Sequence, residues 1–494
     1  MAAEFPSSQI LMSLPEVPKL SGTLSKTSAA IGDDRLTKPL RTALLLALAA
    51  SIYNYDIFRV PGVEKNDGLF GLALSAFRGA LQYYGQFAPF VLSPVYLALR
   101  SAKSFRFRWR TLWPFVTLII FLGVAALCSS ASAAVEYRWS WFFSRVLPAL
   151  LCAVVCVDRC GIRLVKAWVV GGATFTILFL LMSGRLLPVL NGNVDTAMEV
   201  GSVVGENLHH DRFVVLSDPI TTSLIFYLAG LAGLSHVVDL KGYLLKFGVL
   251  VQCMISIGVA AITGARGPMI AFIVALVVMV AVSRIGLRRK IMLSAIGVLA
   301  LTCFLVVLPD ISPTSAKRIY GLIGRVVPSW DIYGANDDLL DAGSRVDHYG
   351  IAMAAPVTLF GRGVGSFGDN FGEPEQYAHN VFLEAHYETG ILGLVIVSFT
   401  FLSCLARLAW YAAKRGGEAG FCLGALTFYF VECQFSGTLI MEVGLLLFLM
   451  VGYMCIAVEQ RGTTSEADAL RGRRLRIRRS STVPGLVGPR GGGH

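Results

Sequence analysis

The sequence predicts an all-α polytopic membrane protein with about twelve transmembrane helices. Of its 494 residues, 55% are hydrophobic and 15% are charged, whereas about 25% of the residues are charged in soluble domains. The apolar residues are grouped in blocks of roughly twenty, which is the length that a helix needs to cross a bilayer. Soluble fold classes are therefore excluded.

Twelve apolar blocks predict the individual spans. In chain order they are residues 40–57, 82–99, 112–129, 141–157, 165–183, 218–238, 243–263, 267–283, 291–309, 389–410, 419–437 and 440–458. Between the ninth and tenth spans lie residues 310–388, about 80 residues where connections usually have about 4 to 6. This segment contains aromatic residues such as Trp330 and Phe360, so we expect a large folded loop that carries function.

Lys and Arg indicate which side of the membrane each loop occupies, because positively charged loops are retained in the cytoplasm. Of the 43 Lys and Arg residues, 30 lie in the two termini and in the alternate loops on their side. Both termini are therefore predicted to be cytoplasmic, and the large loop to lie outside. The predicted parts are an N-terminal arm at 1–39, nine spans at 40–309, the outer loop at 310–388, three spans at 389–460 and a disordered basic tail at 461–494.

The formal net charge of +11 follows from this topology, so no nucleic-acid partner is predicted. The arginines of the basic tail predict contact with anionic membrane lipids instead. Chemistry is expected on the outer face, because the inner loops are short and the spans contain few ionisable residues.

The first candidate site is the outer turn Thr263–Pro268, between the seventh and eighth spans. Pro268 suits the first turn of the following helix, so the turn presents backbone N–H groups and a helix N-terminus beside the guanidinium of Arg266. This combination is typical of an anion site. The alternative is that Arg266 only anchors the helix at the interface. The positive-inside rule disfavours an arginine in so short an outer turn, which favours the functional interpretation.

The second candidate site combines Ser344–Tyr349 with the glycine-rich turn Leu359–Phe367. If the first segment is helical, Arg345, His348 and Tyr349 share one face. The glycines of the second segment bring its backbone close to another group. A phosphate-binding loop and an ordinary glycine turn explain them equally well, since the lysine and the preceding strand of a nucleotide-binding loop are missing.

The third candidate site is Tyr377–Gly390, which leads into the tenth span. At helical spacing one face carries His379, Leu383 and His386, and another carries Asn380, Glu384 and Glu388. Residues seven apart on a helix are about 10.5 Å apart along its axis, while metal ligands lie about 2.0 to 2.1 Å from the ion. No metal or cofactor is therefore predicted. A histidine at the membrane interface suits general-base chemistry near neutral pH; the alternative is an interfacial helix whose polar groups are only hydrated.

Together these motifs resemble the O-antigen ligase and polymerase family. The resemblance rests on Gly264–Gly267 opening a span, Arg345 before the Gly361–Gly365 turn, and Ala378–Gly390 after it. Their order and spacing match the family, most closely from about residue 263 to residue 396. One position departs from the family pattern: the usual Ser-Arg-Gly is here Ala265-Arg266-Gly267, so the serine hydroxyl is absent while the arginine remains.

The resemblance implies a metal-independent C-type glycosyltransferase, multi-pass in the bacterial inner membrane, with its active site on the periplasmic face. The implied donor is a glycan on undecaprenyl diphosphate, and the implied acceptor is a hydroxyl of another glycan or of lipid A-core. Arg266 and Arg345 would neutralise the leaving diphosphate, and His379 would orient or deprotonate the acceptor hydroxyl. Further substrate-binding candidates are Arg145, Arg362 and Asn380. Other polysaccharide-assembly proteins are further candidate partners.

Two alternatives stay open at the level of sequence. Ligases, which transfer a finished glycan to lipid A-core, share these motifs with polymerases, which build O-antigen, capsule or exopolysaccharide. The alternative from another class is a twelve-span secondary transporter or lipid-linked-sugar flippase. Transporters usually carry charge at the midplane and an internal repeat. Here the polar residues gather on one outer face, which favours the enzyme.

Overall fold

The computed structural model describes residues 37–52, 68–101, 109–182, 219–291 and 339–480, apart from gaps of one or two residues, together with short stretches between 302 and 320. Within these ranges the regular secondary structure is entirely helical. The described part of the chain contains no strand, in agreement with the predicted all-α class.

We number the helices α1 to α14 in chain order. They are α1 (Thr37–Ile52), α2 (Gly68–Ser101), α3 (Trp109–Leu127), α4 (Ala133–Trp141), α5 (Leu147–Cys152), α6 (Arg159–Met182), α7 (Pro219–Asp239), α8 (Tyr243–Ile262), α9 (Arg266–Val282), α10 (Leu339–Ala354), α11 (Ser366–Asp369), α12 (Val381–Arg415), α13 (Glu418–Glu432) and α14 (Val443–Ser480). A π-helical turn at Phe142–Val146 joins α4 to α5, and a 3₁₀ segment at Ala153–Val157 follows α5.

Six helical segments in the described residues are long and apolar enough to cross a membrane. They are Ala133–Cys156, Arg159–Leu178, Ile220–Val237, Tyr243–Ile262, Val381–Arg415 and Val443–Arg461. Two shorter apolar helices are Thr111–Leu127 and Arg266–Val282. These segments fit a polytopic membrane protein. Helical residues overlap every predicted span; of the ninth, 291–309, residues 291, 302 and 304–309 are described and helical, and the rest lie outside the described residues. The number of twelve spans stays a prediction.

Two predicted spans are parts of longer helices. The second predicted span, 82–99, is the C-terminal part of α2. The tenth, 389–410, lies within α12, which begins at Val381 and bends at Gly390, where φ is 68°. A bend at this glycine separates the polar first turns of α12 from its apolar remainder.

The last helix differs from the prediction for the C-terminal tail. The sequence predicts a disordered segment from residue 461, but α14 continues to Ser480. Residues 461–480 are rich in strong helix formers, including Glu466, Ala467, Ala469 and Leu470, and they extend a helix that is already formed. The rest of the predicted tail, 481–494, lies outside the described residues.

Small residues allow the helices at the centre of the bundle to approach closely. A Cβ at Gly424 in α13 would lie 2.1 Å from the sulfur of Met279 in α9. A Cβ at Gly444 in α14 would lie 2.0 Å from the ring of Tyr429 in α13. Helix α13 is thus packed between α9 and α14, and it also contacts α12.

Charged side chains mark one end of this bundle. There Glu459 accepts hydrogen bonds from Arg159 and Arg415 at 2.8 and 2.9 Å. Val443, the first residue of α14, lies about 24 Å from Glu459 along the helix axis at 1.5 Å per residue. The N-termini of α9 and α12 lie at the Val443 end, opposite the charged end.

Candidate active site

One turn contacts the segments that carry the predicted site motifs. It comprises residues 433–442, joins α13 to α14, and is called the central turn below. Three hydrogen bonds reach its carbonyl oxygens: Val381 N to Cys433 at 3.2 Å, the Tyr349 hydroxyl to Gln434 at 3.1 Å, and the Tyr377 hydroxyl to Ser436 at 2.8 Å. The central turn therefore brings α10 and the start of α12 together.

Arg266 lies beside the central turn. It is the first residue of α9, and the preceding turn is closed by Thr263, whose Oγ1 accepts a hydrogen bond from Ala265 N at 3.3 Å. A Cβ at the next residue, Gly267, would lie 3.4 Å from Cβ of Phe435 in the central turn. The half-buried Arg266 thus stands at a helix N-terminus, where a partial positive charge adds to its own.

His379 lies in the short segment that enters α12. Among the described residues it is the one non-glycine with a positive φ, at 53°, a conformation that costs an L-residue roughly 1 to 2 kcal/mol. Such strain is retained where the surroundings hold it, often at functional sites. The His379 ring packs against the Tyr377 ring, with centroids 4.3 Å apart. The next residue, Asn380, caps α12: its Oδ1 accepts hydrogen bonds from Phe382 N and Leu383 N at 3.0 and 3.1 Å.

Helix α10 lies against His379. The imidazole of the buried His348 stacks on that of His379, with centroids 5.3 Å apart and planes 6° from parallel. Residues 339–354 are helical, and Arg345 precedes His348 by three positions. The two residues therefore lie on one face of α10. The structure therefore brings the Arg345 position and His379 to the same region of the protein.

The glycine-rich turn packs against the bend in α12, and this overturns the phosphate-loop interpretation. Gly361, Arg362, Gly363 and Val364 all use their backbone N–H groups within the protein. The acceptors are Thr358 Oγ1 at 3.0 Å, Tyr387 O at 3.1 Å, Glu388 O at 2.8 Å and Ser129 Oγ at 2.7 Å. No N–H group of these four residues is available to hold a phosphate, so the ordinary glycine turn is the correct interpretation.

Both predicted substrate-binding arginines stack on aromatic rings. The Arg362 guanidinium lies 4.8 Å from the centroid of Tyr387 and donates to its hydroxyl at 2.7 Å. Arg145 lies 4.0 Å from the centroid of Trp141, whose Nε1 donates to the carbonyl oxygen of Met441 at 3.0 Å. Arg145 thus borders the end of the central turn nearest to α14, whereas Arg362 belongs to the glycine-rich turn.

The structure contains a buried ionic cluster that the sequence motifs do not predict. Arg138 of α4, 0% exposed, donates to Glu384 and Glu388 of α12 at 2.6 and 2.7 Å. Its other terminal nitrogen donates to the carbonyl oxygen of Gln376 at 2.9 Å. In the sequence, Arg138 is one arginine between aromatic residues, and the two glutamates are four residues apart on a helix face. Neither of these sequence features shows that Arg138 and Glu384, which are 246 residues apart, are partners.

One group of side chains in the described residues has the spacing of metal ligands. The ligand atoms of Glu432, Cys433 and Glu442 lie within 4.8 Å of one another. The Cys433 thiol donates to the Glu432 carboxylate at 3.7 Å, and thiolate and carboxylate ligands prefer different classes of metal. The group is therefore explained by a hydrogen bond at the end of α13, and neither His379 nor His386 belongs to it.

Comparison with known families gives a match over part of the chain. Residues 251–398 match the family described as O-antigen ligase. The chain carries an O-antigen ligase domain. The family resemblance inferred from the motifs is confirmed, and the match supports a ligase- or polymerase-type membrane enzyme. No curated protein matches the chain.

The O-antigen ligase domain contains Arg266, Arg345 and His379, and it ends within α12. Arg138 precedes it in the sequence, and the central turn follows it. The structural site is therefore wider than the matched segment, since α4 and the central turn supply the groups that hold its parts together.

Proposed function

We propose that the protein is a metal-independent glycosyltransferase that works at the periplasmic face of the bacterial inner membrane. Its donor is a glycan linked to undecaprenyl diphosphate, and its acceptor is a sugar hydroxyl, in O-antigen, capsule or exopolysaccharide synthesis. The O-antigen ligase domain supports the enzyme class. The observation that carries the proposal is that Arg266 and the segment of His379 pack on the same central turn, through Gly267 and Tyr377.

The donor side of the reaction is assigned to the arginines. A diphosphate leaving group gains negative charge as its bond to the anomeric carbon breaks, and cations placed where that charge develops lower the barrier. Arg266 offers a planar fork that binds two phosphate oxygens, beside a helix N-terminus that also favours anions. Arg345 is proposed as the second cation, because α10 brings its position to the region of His379.

The acceptor side is assigned to His379. The acceptor hydroxyl oxygen forms the new bond to the anomeric carbon, while the bond from that carbon to the diphosphate oxygen breaks and its electron pair leaves with the diphosphate. The hydroxyl proton passes to the His379 imidazole, which afterwards releases it to solvent. A neutral imidazole is suited to this step near neutral pH. Arg145 and Arg362 are proposed to contact sugar groups from the two sides of the site.

The proposed function is tested by His379→Ala, with His386→Ala as the matched control. His386 lies on α12, is half-buried like His379, and is assigned no chemistry. The assay follows transfer of a radiolabelled glycan from its undecaprenyl-diphosphate carrier by the purified proteins. We expect His379→Ala to lower the rate by about 10² to 10⁴, while donor binding survives and lipid-linked glycan accumulates in cells. Wild-type transfer by His379→Ala, or loss of transfer in His386→Ala, would refute the assignment.

A further inference from the structure

We propose that Arg138 is a positioning residue for the active site, acting through Glu384, Glu388 and Gln376 to hold His379 in its working conformation. The catalytic consequence rests on the function proposed above, whereas the positioning itself does not. Arg138 lies outside the O-antigen ligase domain and is far from His379 in sequence.

Arg138 contacts both α12 and the backbone that precedes His379. One terminal nitrogen donates to both carboxylates of α12 and the other donates to the backbone of Gln376, three residues before His379. The same guanidinium therefore contacts the chain on both sides of His379, at Gln376 and at Glu384. A lysine cannot reproduce this arrangement, because it presents one nitrogen and not a planar pair.

The two glutamates connect Arg138 to the rest of the site. Glu384 accepts hydrogen bonds from the Thr438 hydroxyl at 2.6 Å and from Leu439 N at 3.0 Å, both in the central turn. Glu388 Oε1 lies 3.4 Å from Phe367 N, which donates to it. The Phe367 ring in turn packs edge-on against His348, with centroids 5.7 Å apart. Arg138 thus joins α4, α12, the central turn and the glycine-rich turn at one point.

The backbone conformation of His379 needs support from neighbouring contacts. Its left-handed conformation is unfavourable for a residue with a Cβ, so the segment reverts to an ordinary conformation unless neighbouring contacts prevent it. The cluster supplies one contact on each side of His379: Gln376 O before it, and Glu384 in the first turn of α12 after it. A displacement of about 1 Å in a catalytic group is enough to lower a rate by about 10²-fold.

The test compares Glu384→Gln and Arg138→Lys with Glu459→Gln. An amide at position 384 has one acceptor oxygen and an NH₂ donor, so it cannot accept from both Arg138 and Leu439 N as a carboxylate does. Glu459 is a matched control, because it is also a buried carboxylate that accepts from two arginines, but at the opposite end of the bundle. All variants are purified as the full chain, and folding is checked by thermal unfolding and size exclusion.

The first readout is independent of activity. Diethyl pyrocarbonate acylates accessible imidazoles, and mass spectrometry of the peptides gives separate rates for His379 and His386 in the same molecule. We expect Glu384→Gln and Arg138→Lys to change the His379 rate severalfold and to leave the His386 rate unchanged. Glu459→Gln should change neither rate. Failure of the glycosyltransferase proposal would not affect this result, which keeps the two proposals separable.

The second readout is steady-state transfer kinetics. We expect kcat to fall by about 10²-fold in the two cluster variants with little change in KM for the lipid-linked donor, because the donor is held by Arg266 and not by His379. An unchanged His379 acylation rate in both variants would overturn the proposal. It would equally be overturned if both variants failed to fold while Glu459→Gln folded, since the cluster would then be a structural support of the whole bundle.

Discussion

His348 and His379 stack face to face, with ring centroids 5.3 Å apart and planes within 6° of parallel. One histidine belongs to α10 and the other to the entry of α12, so the stack joins two segments of the O-antigen ligase domain. His348 also contacts Phe371, with centroids 4.9 Å apart. The orientation of the proposed catalytic ring is therefore set partly by a neighbour that has no assigned chemistry of its own.

Replacing His348 should lower glycan transfer, because the His379 ring would lose a contact that orients it. Aromatic pairs of this kind contribute about 0.5 to 1.5 kcal/mol, which corresponds to a rate change of up to about tenfold. We expect His348→Ala to lose about this much in kcat, and His348→Phe, which keeps a flat ring in the same place, to recover most of it. The measurement is steady-state transfer by purified protein. Equal rates in His348→Ala and the wild type would show that the stack does not orient His379.

Substitution of Gly390 should destabilise the protein. Its φ of 68° is unfavourable for other residues, and a Cβ there would lie 2.5 Å from Gly361 N and from Thr358 O. We expect Gly390→Ala to lower the free energy of unfolding by more than the roughly 1 to 2 kcal/mol of the backbone term alone, measured by thermal unfolding in detergent.

Gly258→Ala provides the matched control for that substitution. Gly258 is a helical glycine of α8 with open space around the position of a Cβ, and alanine is favoured over glycine in helices by about 1 kcal/mol. This variant should be as stable as the wild type or slightly more so. If Gly390→Ala behaved in the same way, the bend in α12 would not depend on glycine.

Arg266 should not be replaceable by lysine. A lysine keeps the charge beside the N-terminus of α9 but lacks the planar fork that binds two oxygens of a diphosphate. We therefore expect Arg266→Lys to recover only part of the transfer lost in Arg266→Ala, in an assay at equal protein levels. Full transfer by Arg266→Ala would show that the residue is a membrane anchor.

The topology predicted from the basic residues can be tested by labelling. A cysteine introduced at Asn336, in the predicted outer loop, should react with a membrane-impermeant thiol reagent applied from outside, and one at Lys103 should not. The chain without the added cysteine provides the background. The opposite pattern would place the large loop in the cytoplasm and would exclude the periplasmic reaction.

The class of protein and the chemistry of the motifs are predictable from the sequence. Apolar blocks of bilayer length do not depend on tertiary contacts, so the membrane character and the approximate helices could be predicted from them. The side chains of Arg266, Arg345 and His379 suit anion binding and proton transfer, and the family match covers all three.

Which of these groups lie close together depends on the tertiary structure. The sequence of the glycine-rich turn is compatible with a phosphate loop and with a backbone contact, and the structure pairs the turn with the bend at Gly390. Arg138 belongs to no recognisable motif, and the two glutamates that it contacts lie 246 and 250 residues away. Local sequence sets helix formation and side-chain chemistry, whereas contacts between distant helices depend on how the whole bundle packs.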